Sequence, residues 1–223
     1  MTNPGTPEPP EDPSALDPLV EPMLPAGMEL WRIHRWVKHG APEFTHRAAQ
    51  FNPGFGRGRF HPFPGAGGAP VPTLYAAENW EGAICETVFH DVPLSGPDRR
   101  KARAELATRA MSRVRLTRDV LLVDLRTLGL GRLGLHRQEL IDTEADQYPR
   151  TARWGRAFHQ ARPGAVGLMW MARLADLRAM VFFGDRVTEK DFAVSDAPLS
   201  LGEGEGLAMV MELAEKAKIL ITE

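Results

Sequence analysis

The first structured stretch of the chain is marked by an alternation of apolar and polar side chains. Residues 29–36 alternate in this way, which is the period of a half-buried β-strand. The alternation places Arg32 on the face opposite to Trp31 and Ile33. We therefore predict a strand here, with a charged side chain directed away from its apolar face.

A second stretch combines an extended run with an amphipathic helix. Residues 73–77 are predicted to form a short strand, and apolar residues at helical spacing predict a helix over residues 80–89. Asn79 stands just before this helix, where its side chain can accept a hydrogen bond from the first turn. Glu86 lies off the apolar stripe, beside small residues. It can therefore face either solvent or a pocket that also includes Tyr75 of the preceding strand.

The remaining periodicities alternate between strand-like and helix-like segments. Apolar runs predict further strands at residues 113–116, 120–125, 165–171, 178–184 and 218–221. Helical spacing predicts short turns over residues 128–141, a helix over residues 148–160 and an amphipathic C-terminal helix over residues 207–217. Residues 95–110 are polar and are predicted to form a mobile helix or a linker. Strands before and after the helices indicate an α+β fold.

Composition sets the expected domain organisation. Residues 1–27 are rich in proline and acidic side chains, so we predict a disordered tail. Residues 28–223 have the length of a single domain. A net charge of −2 gives no electrostatic argument for direct nucleic-acid binding, and no apolar run approaches the ~20 residues that a membrane span needs. A lone cysteine and an N-terminus unlike a secretory signal favour a cytoplasmic protein.

Glycine and proline dominate residues 40–72, which we predict to form a long loop. Its glycines allow backbone amides to approach a phosphate, which Arg57 and Arg59 can clamp; a flexible loop with solubilising arginines is the alternative. No Gly-Lys-Ser/Thr sequence follows, so the loop is not a P-loop. Four histidines lack the spacing of a metal motif, and no metal site is expected from them: His34, His39, His46 and His61.

Five short motifs follow one another along the chain. They are Trp31-Arg32-Ile33, Gly58-Arg59-Phe60, Leu74-Tyr75-Ala76-Ala77, Cys85-Glu86-Thr87-Val88, and residues 167–173 ahead of Val181-Phe182-Phe183-Gly184. In this order they resemble the RES-domain family, which is named for its arginine, glutamate and serine. The resemblance covers residues 29–187. It departs from the family pattern at Phe60-His61, where the family has Trp-Asn, and at Ala172, which occupies the position of the serine.

The resemblance implies a fold like that of the ADP-ribosyltransferase toxins, with mixed sheets and flanking helices. It also implies an enzyme that degrades NAD by cleaving the nicotinamide–ribose bond. Inorganic phosphate is the implied co-substrate, with water as the fallback, and no cofactor is implied beyond NAD as the substrate. Characterised members are toxins of toxin–antitoxin pairs, held in check by a helix-turn-helix (Xre-like) antitoxin. The resemblance leaves open whether the protein forms a homodimer.

The resemblance assigns three residues to catalysis, and their chemistry suits such a reaction. Glu86 would stabilise the positive charge that builds on the ribose as its bond to nicotinamide breaks. Arg32 would bind the pyrophosphate with its guanidinium fork. Tyr75 would stack against nicotinamide or hydrogen-bond the ribose.

Substrate binding is assigned to Arg59 and, by their places beside the motifs, to Arg57, Ala172 and Arg173. Alanine has no side-chain donor, so Ala172 cannot hydrogen-bond a phosphate as a serine would. Two alternatives to an NAD-degrading enzyme therefore stay open. One is a protein ADP-ribosyltransferase that uses the same pocket, and the other is a catalytically impaired module that binds NAD or a partner.

Overall fold

The computed structural model describes residues 5–17, 19–36, 46–93 and 96–223. Two predicted features, His39 and the first part of the long loop (residues 40–45), lie outside the described residues. The strands are β1 (Met23–Leu24), β2 (Glu29–Arg35), β3 (Thr73–Ala77), β4 (Arg100–Ala102), β5 (Arg109–Leu116), β6 (Val120–Leu121), β7 (Val123–Asp124), β8 (Gly167–Met171), β9 (Arg178–Phe183), β10 (Phe192–Val194), β11 (Leu199–Ser200) and β12 (Leu220–Thr222). The helices are α1 (Trp80–Thr87), α2 (Arg103–Leu106), α3 (Thr127–Arg132), α4 (Arg137–Leu140), α5 (Tyr148–Ala161) and α6 (Gly204–Lys216). No helix in these described ranges combines the length and apolarity that crossing a bilayer demands.

Most strands join one mixed sheet. Its order is β10-β5-β2-β3-β9-β8-β7, and β11 also pairs with β5. Strands β7 and β8 run parallel, whereas the other neighbours are antiparallel. Two small sheets accompany the large one, because β1 pairs antiparallel with β6 and β12 pairs parallel with β4. This mixture of sheets and helices confirms the predicted α+β class.

The large sheet opens between β2 and β3. Strand β2 pairs with β5 from Glu29 to Arg35, whereas it pairs with β3 only where Trp31 faces Ala77. Strand β3 in turn pairs along its whole length with β9. Beyond the single contact the two central strands diverge, and a wedge-shaped opening forms between them.

Apolar side chains pack on both faces of the sheet. One face is covered by α1 and α5, whose Ile84 and Phe158 are fully buried. The other face holds a separate cluster that includes Leu30 and Phe182. The predicted strand is confirmed as β2, and Leu30 and Ile33 belong to clusters on different faces. The strand is not half-buried as predicted, because Arg32 and His34 are buried as well.

Helix α1 begins at the predicted cap. The Oδ1 atom of Asn79 accepts a hydrogen bond from the backbone N–H of Gly82 at 2.8 Å. Gly82 allows the helix to approach β3, since a Cβ atom there would lie 3.0 Å from the Cβ of Ala77. The helix ends at Thr87, slightly before the predicted end, so that His90 lies in the following turn.

The N-terminal segment differs from the predicted disordered tail, because its described residues pack on the rest of the chain. Leu16 is 3% exposed, Leu24 is 2% exposed, and β1 pairs with β6. The carbonyl of Pro7 accepts a hydrogen bond from Nε1 of Trp154 at 2.8 Å. A proline-rich composition does not require disorder here, because proline also reduces the entropy that a segment loses on ordering and the two buried leucines anchor the segment.

Two further predictions are corrected by long-range contacts. Residues 96–110 are not a linker but contain β4, α2 and the start of β5, and Lys101 is buried between Asp91 at 3.0 Å and Glu105 at 2.8 Å. The apolar run at residues 120–125 is not one strand, because β6 pairs with β1 and β7 pairs with β8. Neither pairing has a local sequence signal.

The elements predicted for the last third of the chain agree more closely with the observed helices and strands. The helix at 148–160, the strands at 165–171 and 178–184 and the C-terminal strand are confirmed as α5, β8, β9 and β12 within a few residues. The C-terminal helix predicted over residues 207–217 is confirmed as α6, and its apolar residues are only partly buried, because Val210 and Ala214 face the core while Met211 is 48% exposed. Local periodicity is sufficient for these elements.

Candidate active site

A cleft of about 380 Å³ lies where β2 and β3 diverge. Residues 32–35 of β2, Thr73 and Tyr75 of β3, and Glu86 and Thr87 of α1 line its walls. The loop around residues 52–61 closes another side. The volume lies within the range of about 300–1,000 Å³ that is usual for small-molecule sites.

Two donors hold the carboxylate of Glu86. Its Oε2 accepts a hydrogen bond from Nε1 of Trp170 at 3.1 Å, and its Oε1 accepts one from the backbone N–H of Arg173 at 2.8 Å. Trp170 is fully buried in β8, so it provides a rigid support. Glu86 is itself only partly buried and lines the cleft. A carboxylate fixed in this way can face a developing positive charge without reorganising.

The hydroxyl of Tyr75 connects β3 to the loop. It accepts a hydrogen bond from the backbone N–H of Phe60 at 3.0 Å and lies 3.1 Å from Nδ1 of His61. The ring of Tyr75 packs edge-on against Trp170, with 6.0 Å between ring centres. Burial raises the pKa of Tyr75, so the phenol stays neutral at physiological pH. Tyr75 therefore offers the cleft a ring and a neutral hydroxyl.

Two arginines are buried at the cleft without a carboxylate partner among the described residues. Arg32 is 6% exposed, and its Nη1 donates to the carbonyl of Gln50 at 2.8 Å. Arg59 is 4% exposed, its Nη1 donates to the carbonyl of Ile141, and its guanidinium carbon lies 5.8 Å from the centre of the Tyr148 ring. Burial lowers the pKa of Arg32 to about 10, which still leaves it charged at neutral pH. Buried charges of this kind are stabilised when an anion binds beside them.

Several buried polar atoms at the cleft have no hydrogen-bond partner among the residues that the structure describes. They belong to four residues of its lining: Arg32 (Nε), Arg59 (Nε), Thr73 (Oγ1) and His90 (Nδ1). Buried polar groups in proteins are nearly always satisfied, so a cluster of exceptions needs an explanation. These atoms have less than 1 Å² of accessible surface each, so a ligand in the cleft could hydrogen-bond them only after the side chains of the lining shift.

The wall of the cleft is positively charged. Among the described lining residues, Glu86 is the only carboxylate beside five arginines, namely Arg32, Arg35, Arg57, Arg59 and Arg109. Burial and the charge of Arg32 lower the pKa of His34 to about 4, and burial also lowers the pKa values of His61 and His90. These histidines are therefore neutral at pH 7. The net charge of −2 conceals a local site for anions.

The structure brings together five of the seven site residues that the sequence suggests. The five that line the cleft are Arg32, Arg57, Arg59, Tyr75 and Glu86. They come from β2, the loop, β3 and α1, so only the tertiary fold makes them neighbours. Of these five, Arg57 is the most exposed and Arg59 the least.

The other two suggested residues, Ala172 and Arg173, lie behind the wall of the cleft. Ala172 is 2% exposed, and its carbonyl accepts a hydrogen bond from Nη2 of Arg137 at 2.9 Å. The guanidinium of Arg173 donates to the carbonyl of His90 at 3.2 Å and to Glu144 at 2.6 Å. Arg173 thus supports the residues around the cleft, including Glu86 through its backbone N–H.

Most residues of the lining have no role in the sequence-based assignment, and His90, Phe55 and Tyr148 are three examples. His90 lies in the turn after α1, four residues beyond Glu86, outside the helix predicted over residues 80–89. Phe55 stands between two glycines of the loop, where an apolar residue is a weak signal. Tyr148 carries no local signal, because only the fold brings α5 to the cleft.

The chain belongs to the RES-domain family, since the sequence model of the RES domain matches residues 29–201. This match confirms the resemblance drawn from the five motifs, and it extends from β2 to β11. No curated protein matches the chain in sequence.

A solved structure has a similar fold. It is a chain of the crystal structure of the M. tuberculosis MbcT–MbcA toxin–antitoxin complex, and the likeness covers 86% of this chain and 92% of that chain. The TM-score is 0.56 and the sequence identity is 16%, so the likeness is one of fold. It confirms the predicted mixed sheets with flanking helices.

Proposed function

We propose that this RES-domain protein degrades NAD in the cleft between β2 and β3, releasing nicotinamide. The observation that carries the proposal is the arrangement of charges. A single fixed carboxylate, Glu86, shares the cleft with the two buried arginines Arg32 and Arg59. NAD has the complementary pattern, with an anionic pyrophosphate and a ribose that becomes cationic as its glycosidic bond breaks.

The pyrophosphate would bind to the arginines of the cleft. Arg32 and Arg59 both line the cleft, and the geometry of a guanidinium group suits two parallel hydrogen bonds to phosphate oxygens. Arg57 is exposed at the rim and can approach the same group from the side of solvent. Binding of the anion would stabilise the buried positive charges.

Glu86 would act on the ribose. When the bond between the anomeric carbon and nicotinamide breaks, its electron pair goes to the pyridinium nitrogen, and nicotinamide leaves as a neutral molecule. The ribose is left with oxocarbenium character, which a nearby carboxylate stabilises. Trp170 and Arg173 hold this carboxylate in place, so it needs no reorganisation as the charge develops.

The acceptor would be inorganic phosphate, with water as the alternative. Attack of a phosphate oxygen on the anomeric carbon gives ADP-ribose-1''-phosphate, and attack of water gives ADP-ribose and a proton. The positive wall of the cleft favours an anionic acceptor. Neutral Tyr75 would pack its ring against the nicotinamide or hydrogen-bond the ribose.

The test is to incubate the purified protein with NAD, with and without phosphate, and to identify both products. We expect nicotinamide release that is faster with phosphate, together with a second product of the mass of ADP-ribose-1''-phosphate. Free ADP-ribose would indicate hydrolysis, and mass added to a co-incubated protein would indicate ADP-ribosyl transfer. Absence of nicotinamide release would contradict the proposal and favour a binding module.

We also propose that the protein is a cytoplasmic toxin that an antitoxin restrains. Support comes from its family and from the similar fold in the M. tuberculosis MbcT–MbcA complex, which is a toxin–antitoxin complex. The expected partner is a helix-turn-helix (Xre-like) protein encoded beside it. Expression of this chain alone should arrest growth and deplete cellular NAD, and co-expression of that partner should restore both. Unimpaired growth with unchanged NAD would contradict the toxin role.

A further inference from the structure

An exposed aromatic ring stands at the rim of the cleft. Phe55 is 73% exposed, which is more than any other large apolar residue that the structure describes, and it nevertheless lines the cleft. It belongs to the rim loop, which we define as residues 52–61. Single exposed apolar residues are common on protein surfaces, so exposure alone has no significance. The significance lies in how firmly the loop holds the backbone that carries this ring.

The side chain of Asn52 fixes the backbone on both sides of Phe55. Its Oδ1 accepts hydrogen bonds from the N–H groups of Gly54 at 3.0 Å and Phe55 at 2.8 Å, and its Nδ2 donates to the carbonyl of Phe55 at 2.8 Å. The backbone of Asn52 is tied to Thr73 of β3 by two hydrogen bonds of 2.8 Å. The position of Phe55 is therefore set by the central sheet.

The other end of the rim loop is closed by His61. Backbone hydrogen bonds link Gly58 and His61 in both directions, at 3.0 and 3.3 Å. The His61 ring lies against Gly58 so closely that a Cβ atom there would be 2.3 Å from its Cε1. The same ring contacts the hydroxyl of Tyr75 at 3.1 Å. The rim loop is thus a preorganised frame that presents an aromatic ring beside a positively charged cleft.

We propose that Phe55 is a stacking platform for the adenine base of the dinucleotide, an inference that rests on the proposed function. In the proposed reaction the reacting end of NAD lies at Glu86, which Trp170 and Arg173 hold in the wall of the cleft. The pyrophosphate would occupy the arginines, and the adenine would then reach the rim. An exposed aromatic ring on an ordered backbone, two residues from the cationic Arg57, suits a purine, because base stacking needs only the face of the ring. A backbone that is already ordered reduces the entropy that is lost on binding.

The test compares two probes, ADP and inorganic pyrophosphate, by isothermal titration calorimetry on the full chain. Wild type should bind ADP more tightly than pyrophosphate. Phe55→Ala should weaken ADP binding by about tenfold and leave pyrophosphate binding within about twofold. Phe55→Trp should retain the affinity for ADP, since its ring also stacks. Leu128→Ala is the matched control, because Leu128 is 67% exposed but does not line the cleft, and it should change neither affinity.

The proposal is overturned if Phe55→Ala weakens both probes equally, or neither, or if wild type binds ADP no better than pyrophosphate. An effect of Phe55→Ala confined to the binding of a protein partner would also overturn it, since the ring would then be a docking anchor. Nicotinamide release by wild type separates these failures from a failure of the proposed function. Release combined with any of these results would refute the adenine platform alone.

Discussion

At the residue scale, the cleft depends on groups whose protonation is set by their surroundings. His34 lies on β2 with its Nε2 at 2.8 Å from Oγ of Ser112 and its Nδ1 at 3.2 Å from the carbonyl of Arg35. Burial and the neighbouring charge of Arg32 keep this ring neutral. A neutral ring at this place leaves Arg32 free of a second positive charge beside it.

The pH dependence of stability should report the state of His34. Its pKa is lowered from 6.5 to about 4 in the folded chain, so the unfolded chain takes up the proton first as the pH falls. The contribution of neutral His34 to the unfolding free energy is therefore complete above about pH 6.5 and is lost as the pH falls towards 4. When the pH is lowered from about 7 to about 4.5, chemical denaturation should show that the unfolding free energy of wild type falls by about 2–3 kcal/mol more than that of His34→Gln. His136→Gln, which replaces an exposed histidine, should show the same pH dependence as wild type. The same dependence of the unfolding free energy on pH in all three proteins would contradict this role of His34.

Gly58 should contribute to stability and activity because the ring of His61 packs directly against it. A Cβ atom at residue 58 would lie 2.3 Å from His61, so Gly58→Ala must displace that ring from Tyr75. We expect a loss of about 1–3 kcal/mol in unfolding free energy and a fall in nicotinamide release. Gly131→Ala is the control, since nothing lies within 4 Å of a Cβ there, and it should stabilise α3 by about 0.5–1 kcal/mol. Wild-type stability and activity in Gly58→Ala would count against a fixed rim loop.

At the scale of elements, the N-terminal segment acts as a part of the fold. It reaches α5 through Pro7 and Trp154, and Glu8 forms an ion pair with Arg153 at 2.6 Å. Helix α5 in turn carries Tyr148, which packs near Arg59 in the cleft. The segment therefore supports the helix that borders the site.

Truncation of a buried leucine in that segment tests whether it is anchored. Leu16 is 3% exposed, so Leu16→Ala should lower the unfolding free energy by about 2–4 kcal/mol through lost burial and a residual cavity. Leu128→Ala, at a residue that is 67% exposed, should change it by less than about 0.5 kcal/mol. Urea denaturation followed by circular dichroism measures both. Equal stability of the two variants would restore the prediction of a disordered tail.

The sequence predicts those elements whose pattern is local. The cap at Asn79, helix α5 and the alternation in β2 follow from spacing within a single segment. The division of residues 120–125 between two sheets could not be predicted, because it is decided by partners near residues 23 and 168. The same holds for the site. The order of the motifs is sufficient to predict Arg32 and Glu86, whereas the proposed role of Phe55 depends on tertiary contacts of its loop that no local sequence pattern indicates.

At the scale of the whole molecule, the divergence of β2 and β3 creates the cleft and concentrates positive charge in it. Five arginines line a site in a chain whose net charge is −2. Attraction between this wall and an anionic ligand is screened by salt to the extent that the charges are exposed. The positive charge of the cleft should therefore make the affinity for anions depend on salt concentration.

Affinity for inorganic pyrophosphate should fall by about threefold to tenfold between about 0.05 and about 0.5 M NaCl. Arg57→Gln should weaken binding at low salt and reduce this dependence, because Arg57 is an exposed charge of the cleft wall. Arg100→Gln removes an exposed charge that pairs with Asp98 outside the cleft, and it should retain the dependence of wild type. A salt-independent affinity would contradict an electrostatic site.

The most direct measurement is the rate of nicotinamide release at saturating NAD for wild type and Glu86→Gln. The account predicts a fall of at least about 100-fold, since the substitution removes the charge that faces the ribose. Glu81→Gln serves as the control, because Glu81 is on the same helix but contacts Lys216 at 3.6 Å and does not line the cleft. It should release nicotinamide at the rate of wild type. Equal rates for wild type and a folded Glu86→Gln variant would contradict the account.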